Sequence, residues 1–172
     1  DVQYALGYHV MPKDMARSGQ IIPQINWTAC TLIEGEIRGL AAHGSQPHLG
    51  INAIDVGAAI VNAVNALHSN PLLGGSVKTT RFIGGAGSLN AICDKVSIGF
   101  DLRSTSNAEM LVLRQKVADI VTNTAKLYGA EGESHIVGTC PAAEADPSLL
   151  ALTKEVIVDV LGTQGLLPAA NI

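Results

Sequence analysis

Between Ala29 and Gly138 the hydrophobic period of the chain changes repeatedly, and the order of those changes leaves few folds open. Ile33, Gly35 and Ile37 alternate with Glu34, Glu36 and Arg38, the period of two of a half-buried strand. Helical spacing follows. Ile51, Ile54, Ala58, Val61, Val64 and Leu67 recur on one side, and Asn52, Asp55, Asn62 and Asn65 gather opposite, which predicts a helix over 51–68. Asn70-Pro71 and Gly74-Gly75 interrupt, and Val77 to Ile83 reads as a second strand. After a glycine-rich turn from Gly84 to Asn90, Val96, Ile98, Phe100 and Leu102 alternate with Lys95, Ser97, Asp101 and Arg103 in a third. Ser106 and Glu109 form a capping box for a second helix, whose apolar positions include Leu113, Val117, Ile120, Val121 and Leu127 and whose stop is Gly129. Glu133 to Val137 reads as a short fourth strand. The order β-α-β-β-α-β is the split βαβ, ferredoxin-like arrangement. The expectation is an α+β domain over 29–138, a four-stranded antiparallel sheet with both helices on one face.

The flanks read differently. Val2 to Val10 is a short apolar run predicted as a strand, and Met11 to Pro23 is loop, broken by Pro12, Gly19 and Pro23. Cys140 to Ala145 reads as a linker. Asp146 caps and Pro147 opens a third helix ending near Leu161, before Gly162. Residues 1–28 and 139–172 are therefore expected to be incomplete α/β segments of something larger. The chain starts into sequence that reads as mid-domain, with no signal peptide. Apolar residues make up 47% of the 172 and charged residues 15%, with a net charge of −4. That balance argues against disorder and against nucleic acid or an anionic membrane as partner. No apolar run reaches the roughly 18 residues of a membrane span. The three cysteines, Cys30, Cys93 and Cys140, show no metal-finger or C-x-x-C spacing and read as buried free thiols in a cytoplasmic protein.

Four places could carry chemistry. The densest is Gly39 to Gly50, where His43 and His48 sit in a loop between strand and helix. Such a loop is either a surface turn or a place where an imidazole steadies a developing oxyanion. Gly84 to Asn90 permits close backbone approach, as a tight hairpin or, less naturally, a phosphate cradle without its Lys. Arg103, at a strand end, either grips a carboxylate bidentately or makes a surface salt bridge with Asp101 or a neighbour. His9 is a lone histidine, the kind most often structural. There is no H-E-x-x-H, G-x-S-x-G, H-x-D or adjacent Glu-Glu, so the chain carries no complete metal site or nucleophile triad of its own.

Taken together, the run Gly39 to Ile54 and the run Gly85 to Asp94 continuing into Asp101-Leu102-Arg103-Ser104 resemble the lid, or dimerisation, domain of the aminoacylase/carboxypeptidase family of zinc metallohydrolases. Cys93 stands where that family often has Pro. Leu6-Gly7-Tyr8-His9-Val10, with Pro12 and Gly19 behind it, resembles the stretch before the lid in hippurate hydrolases, auxin-conjugate hydrolases and related N-acyl-amino-acid amidohydrolases. The resemblance implies that His9 binds one of two divalent metal ions, zinc with manganese or cobalt as alternatives. It implies that His43 polarises the scissile carbonyl, reaching the partner subunit's site in dimeric members, and that Asn90 and Arg103 hold a substrate carboxylate. His48 contacts substrate or only shapes the loop. The implied whole enzyme is a homodimer hydrolysing N-acyl amino acids or small peptides by metal-activated water. This chain alone would be inactive. The alternative is a non-catalytic ferredoxin-like module that dimerises or binds a small ligand.

Overall fold

The computed structural model describes residues 2–70 and 74–171; Pro71, named above, lies outside them. The elements in chain order are β1 (Ile25–Asn26), β2 (Ala29–Arg38), β3 (Ala42–His43), α1 (Ala53–Asn65), β4 (Gly75–Gly84), β5 (Ala91–Ile92), β6 (Lys95–Ser104), α2 (Asn107–Leu127), β7 (Glu131–Cys140), α3 (Pro147–Leu161) and β8 (Ala170–Asn171). They divide into two compact units, Thr28–Ala142 and the pair of segments Asp1–Trp27 with Ala143–Ile172.

In the central unit the strands lie in the order β4-β6-β2-β7, every neighbouring pair antiparallel. This is the ferredoxin-like order expected from the sequence. The alternation along β2 buries Ala29, Thr31, Ile33, Gly35 and Ile37 on one face. Val96, Ile98, Phe100 and Leu102 of β6 continue that face. Both helices cover it. α1 supplies Val56, Ile60 and Val64, and α2 supplies Met110, Leu113, Val117 and Val121. Each fully buried side chain of this size contributes on the order of 1.5–3 kcal/mol. The buried hydroxyl of Thr31 is satisfied by Arg114, which reaches from α2 to Thr31 Oγ1 at 2.8 Å and also to Thr139 Oγ1.

The opposite face of the sheet is open and charged. Glu36 forms ion pairs with Lys95 Nζ at 2.7 Å and with Arg38 Nε at 2.7 Å, and Arg81 pairs with Glu34 at 2.9 Å. The Lys95 ammonium, then Arg38, holds the Glu36 carboxyl below its ordinary range.

The helices differ from the sequence reading in phase rather than existence. α1 is shorter, Ala53–Asn65, with Asn52 as its N-cap accepting from the Ile54 N–H at 3.2 Å. Its buried stripe is Ala53, Val56, Gly57, Ile60 and Val64, while Ile54 and Ala58 face outward. The helix is apolar on most of its circumference, so hydrophobicity alone does not fix which side packs. Residue size does: Gly57 lies against Phe82, where a Cβ would come within 2.7 Å of the ring. α2 is capped by Ser106, whose hydroxyl accepts from the Glu109 N–H at 3.3 Å, and its buried face runs from Met110 to Ala125, leaving Leu127 exposed.

β7 is ten residues long rather than a short Glu133–Val137 strand, and it incorporates Cys140. Its pairing with β2 slips between Leu32 and Ile33, which leaves Val137 as the extra residue of a bulge. That bulge breaks the alternation along Ile136-Val137-Gly138 and hides the strand's true length.

In the other unit, β1 and β8 pair in parallel, Ile25 opposite Ala170. α3 starts at Pro147 with Asp146 as N-cap, as expected, and ends at Gly162 with φ +74°. Asp146 accepts from the N–H groups of Ser148 and Leu149, both at 2.9 Å. Val2 to Val10, read as a strand, forms none. A strand is defined by a hydrogen-bonded neighbour, and an apolar run supplies only half of that requirement. The outward side of α3 leaves Leu152, Val156 and Val160 exposed. No helix of the described residues is long and apolar enough to cross a membrane.

Candidate active-site groups

His43 is held by backbone. It forms β3 with Ala42, paired antiparallel with β5 so that His43 faces Ala91. The Gly44 N–H donates to the Asn90 carbonyl at 2.7 Å, and Leu40 and Ile51 close the neck of the loop with reciprocal 2.9 Å hydrogen bonds. The neck requires Gly39: a Cβ there would lie 2.1 Å from the Ile51 carbonyl oxygen. The loop arriving from β4 uses Gly85 and Gly87 at φ +145° and +74°, conformations open to glycine. The Cys93 thiol secures it by accepting from the Gly85 N–H at 3.2 Å and donating to the Lys95 carbonyl at 3.0 Å. This segment joins β4 to β5 without a helix, which suits a hairpin and not a phosphate cradle.

These two loops bring the His43 and Asn90 side chains together. The Ser45 N–H, which can only donate, points at His43 Nδ1 at 3.2 Å, so Nδ1 is the acceptor nitrogen and Nε2 carries the proton. Ser45 Oγ lies 2.8 Å from the same Nδ1. Asn90 is oriented just as locally: Ser88 Oγ donates to its Oδ1 at 2.6 Å, which turns Nδ2 toward the imidazole. The result is two donors, His43 Nε2 and Asn90 Nδ2, 3.5 Å apart and exposed. Two donors side by side do not satisfy each other; they suit an oxygen carrying negative charge. Ser45 and Ser88 went unassigned in the sequence reading. Their signal was a serine two residues from each of these two side chains, a spacing that allows local bonding.

Arg103 lies elsewhere on the same unit. It is opposite Cys30 on β2 and Ser76 on β4, near the C-terminal end of β6. The His43–Asn90 pair lies by the other end, where the Gly39 N–H donates to the Asp94 carbonyl at 2.7 Å. The eight residue steps from Lys95 to Arg103 span about 26 Å. Within one chain, therefore, Asn90 and Arg103 are not brought to one carboxylate. Arg103 pairs bidentately with Asp101, Nε to Oδ1 at 2.7 Å and Nη2 to Oδ2 at 2.9 Å. Asp101 raises the Arg103 pKa above its ordinary value, so the guanidinium stays charged. The Arg103 side chain is about half exposed.

His48 sits exposed in the 3-10 turn Pro47–Leu49 and makes no hydrogen bond to the His43–Asn90 pair. His9, in the other unit, meets Trp27 edge-to-face with ring centroids 5.3 Å apart. Both line a cleft of about 740 Å³. Among the described residues no three His, Cys, Asp or Glu side chains are grouped to hold a metal ion. One imidazole against an indole does not make the two-metal site that the resemblance implies.

The peptidase dimerisation domain of the M20 type matches residues 29–129, more than half of the chain. The chain belongs to this family. An uncharacterized hydrolase of Sinorhizobium fredii is 33% identical over 169 residues, covering 94% of this chain and 41% of that protein. The chain spans about two fifths of the length of the curated relatives it matches. Among solved structures, an aminobenzoyl-glutamate utilization protein of Klebsiella pneumoniae superposes with a TM-score of 0.73 at 21% identity, covering 87% of this chain and 40% of that one. A tripeptidase of Staphylococcus aureus gives 0.70 at 18%, covering 90% and 40%. At such identities these structures speak for the fold. The matched residues thus take in β2 to β6 and both helices of the central unit, in line with the resemblance read from the sequence.

Proposed function

We propose that this M20 dimerisation domain is the lid of a hydrolase that cleaves the amide bond of N-acyl amino acids or small peptides. The observation that carries the reading is the convergence of His43 Nε2 and Asn90 Nδ2. An amide carbonyl under attack by water develops negative charge on its oxygen, and two preorganised donors stabilise that charge more than they stabilise the ground state. Ser45 and Ser88 hold the donors in place, so little reorganisation is needed as the charge forms. Arg103 takes the free carboxylate of the amino-acid portion, with Asp101 orienting the guanidinium. His48 shapes the rim of the loop.

Because His43 and Arg103 lie at opposite ends of β6, one substrate meets both when two chains combine, each sending its imidazole to the other's site. The edge strand β4, with Phe82 and Ile83 exposed, is a surface on which a second copy could pair. The exposed apolar side of α3 supports reading residues 1–28 and 139–172 as parts of a larger catalytic domain rather than the flanks of a free-standing module. In that domain His9 would supply one metal ligand among others borne outside this chain. The lid by itself is then inactive.

The test is turnover by the full-length protein on a panel of N-acyl amino acids and dipeptides. His43→Ala is expected to lower kcat by about 10²–10³-fold with the fold intact. Wild-type turnover in that variant would reject the assignment.

A further inference from the structure

Cys30 and Cys140, 110 positions apart in the sequence, are directly opposite each other in the antiparallel ladder of β2 and β7. Facing residues of such a ladder project to the same side, with Cα atoms about 4.5–5.5 Å apart. A disulfide accepts Cα separations of about 4.4–6.8 Å. The next facing pair shows how closely these two strands bring side chains together: Thr31 Oγ1 and Thr139 Oγ1 are 3.4 Å apart, and Arg114 binds both. The Val137 bulge lies beyond this pair, so the register here is regular. Both thiols are free; Cys140 is exposed and Cys30 half-buried, on the open face of the sheet. The Cys140 Sγ now leans toward the Pro141 carbonyl at 3.6 Å, a contact weak enough for a rotamer change to release.

We infer that Cys30 and Cys140 are a reversible oxidation site, a cross-strand dithiol that closes to an intramolecular disulfide when it meets a small-molecule disulfide. The Cys140 thiol, the more accessible, loses its proton and attacks one sulfur of the reagent, expelling one thiolate. The deprotonated Cys30 then attacks Cys140 Sγ and expels the second. The two protein thiols lose two electrons and two protons, and the reagent is reduced to two thiols. The β2–β7 ladder favours the second attack over escape of the mixed disulfide, because it already holds the two residues face to face. Cys93 takes no part; it is buried and already hydrogen-bonded on both sides. The site does not depend on the role given to His43 or Arg103.

The experiment equilibrates the chain with glutathione and glutathione disulfide at graded ratios, quenches by alkylation under denaturing conditions and counts free thiols by mass. The expected result is a fall from three thiols to one. The product should be a monomeric species two hydrogens lighter, should give one linked peptide pair containing Cys30 and Cys140, and should revert under reductant. Cys140→Ser and Cys30→Ser should each stop at the mixed disulfide in the same buffers. Oxidation that yields only mixed disulfides in the wild type, only links between chains, or links to Cys93 would overturn the inference, as would three surviving thiols in buffers where Cys30→Ser is glutathionylated.

Discussion

Asn90 turns its amide nitrogen, not its oxygen, toward His43, and the 3.5 Å between Nδ2 and Nε2 is a gap between two donors. Replacing Asn90 by Ala removes one donor and is expected to reduce kcat of the full-length protein by about 10²-fold. Asn90→Asp should be worse, because a carboxylate would bond to the imidazole and repel the charge that the pair serves. Steady-state kinetics on one N-acyl amino acid, with circular dichroism as a check of folding, reads both outcomes. Equal activity of Asp and Asn at this position would remove the donor role.

Arg103→Lys keeps the charge and loses the planar fork. The expected change is a KM raised roughly 10- to 100-fold for substrates with a free carboxylate, the scale of one charge-assisted hydrogen bond. Substrates amidated at that carboxyl should not change. A uniform loss across both classes would assign Arg103 to structure, through Asp101, and not to recognition.

The separation of His43 from Arg103 along β6 allows a complementation test. Full-length His43→Ala and Arg103→Ala variants are each expected to be nearly inactive alone. Mixed and allowed to exchange subunits, they should regain activity, because one site of each hybrid would combine an intact Arg103 with the partner's intact imidazole. Light scattering follows the exchange. Hybrids as inactive as their parents would place both groups in sites of single chains.

Gly39→Ala tests the neck of the His43 loop. The added Cβ would meet the Ile51 carbonyl, backbone that cannot swing aside as a side chain can. A loss of about 1–3 kcal/mol is expected, as for other overpacked positions. It would appear as a lower midpoint in urea with an unchanged slope.

Asp146 ties α3 to pH. The Ser148 hydroxyl, with the Leu149 and Ser148 N–H groups, holds its carboxyl below the ordinary range in the folded chain. A depressed folded-state pKa means that the cap's contribution is fully present above the unfolded value and is lost as pH falls through the folded one. Thermal melts of the wild type should therefore weaken on acidification below about pH 4, the unfolded carboxylate range. Asp146→Asn keeps a capping oxygen without the charge and should flatten that acid limb. An unchanged limb would show that other carboxylates govern it.

The fold was legible where a period was long and its partner was implied by topology. The alternation along β2 and β6 gave their buried faces, and Ser106 with Glu109 placed the start of α2. Where hydrophobicity had no clear phase, as around α1, the packed side was decided by the small residues Ala53 and Gly57, which a count of apolar positions passes over. Val2 to Val10 has strand-like composition and no strand neighbour, and only tertiary structure could tell. Of the candidate site, His43 and Asn90 were visible as residues, but their meeting depends on the β3–β5 ladder, two residues on each side, too short to leave a periodic signal. The apposition of Cys30 and Cys140 was hidden for a similar reason: the bulge at Val137 disguised the length of β7, and with it the register.

The ten residues of β6 also act as a ruler. Inserting two residues in its middle would preserve which side chains face the helices, since two is the period of a strand, yet would carry Arg103 about 7 Å farther from the loop that presents His43. A substrate gripped at one end by one chain and at the other by its twin would no longer fit between them. On the proposed two-chain arrangement, the length of this strand then enters, together with Arg103 itself, into the span between the two grips.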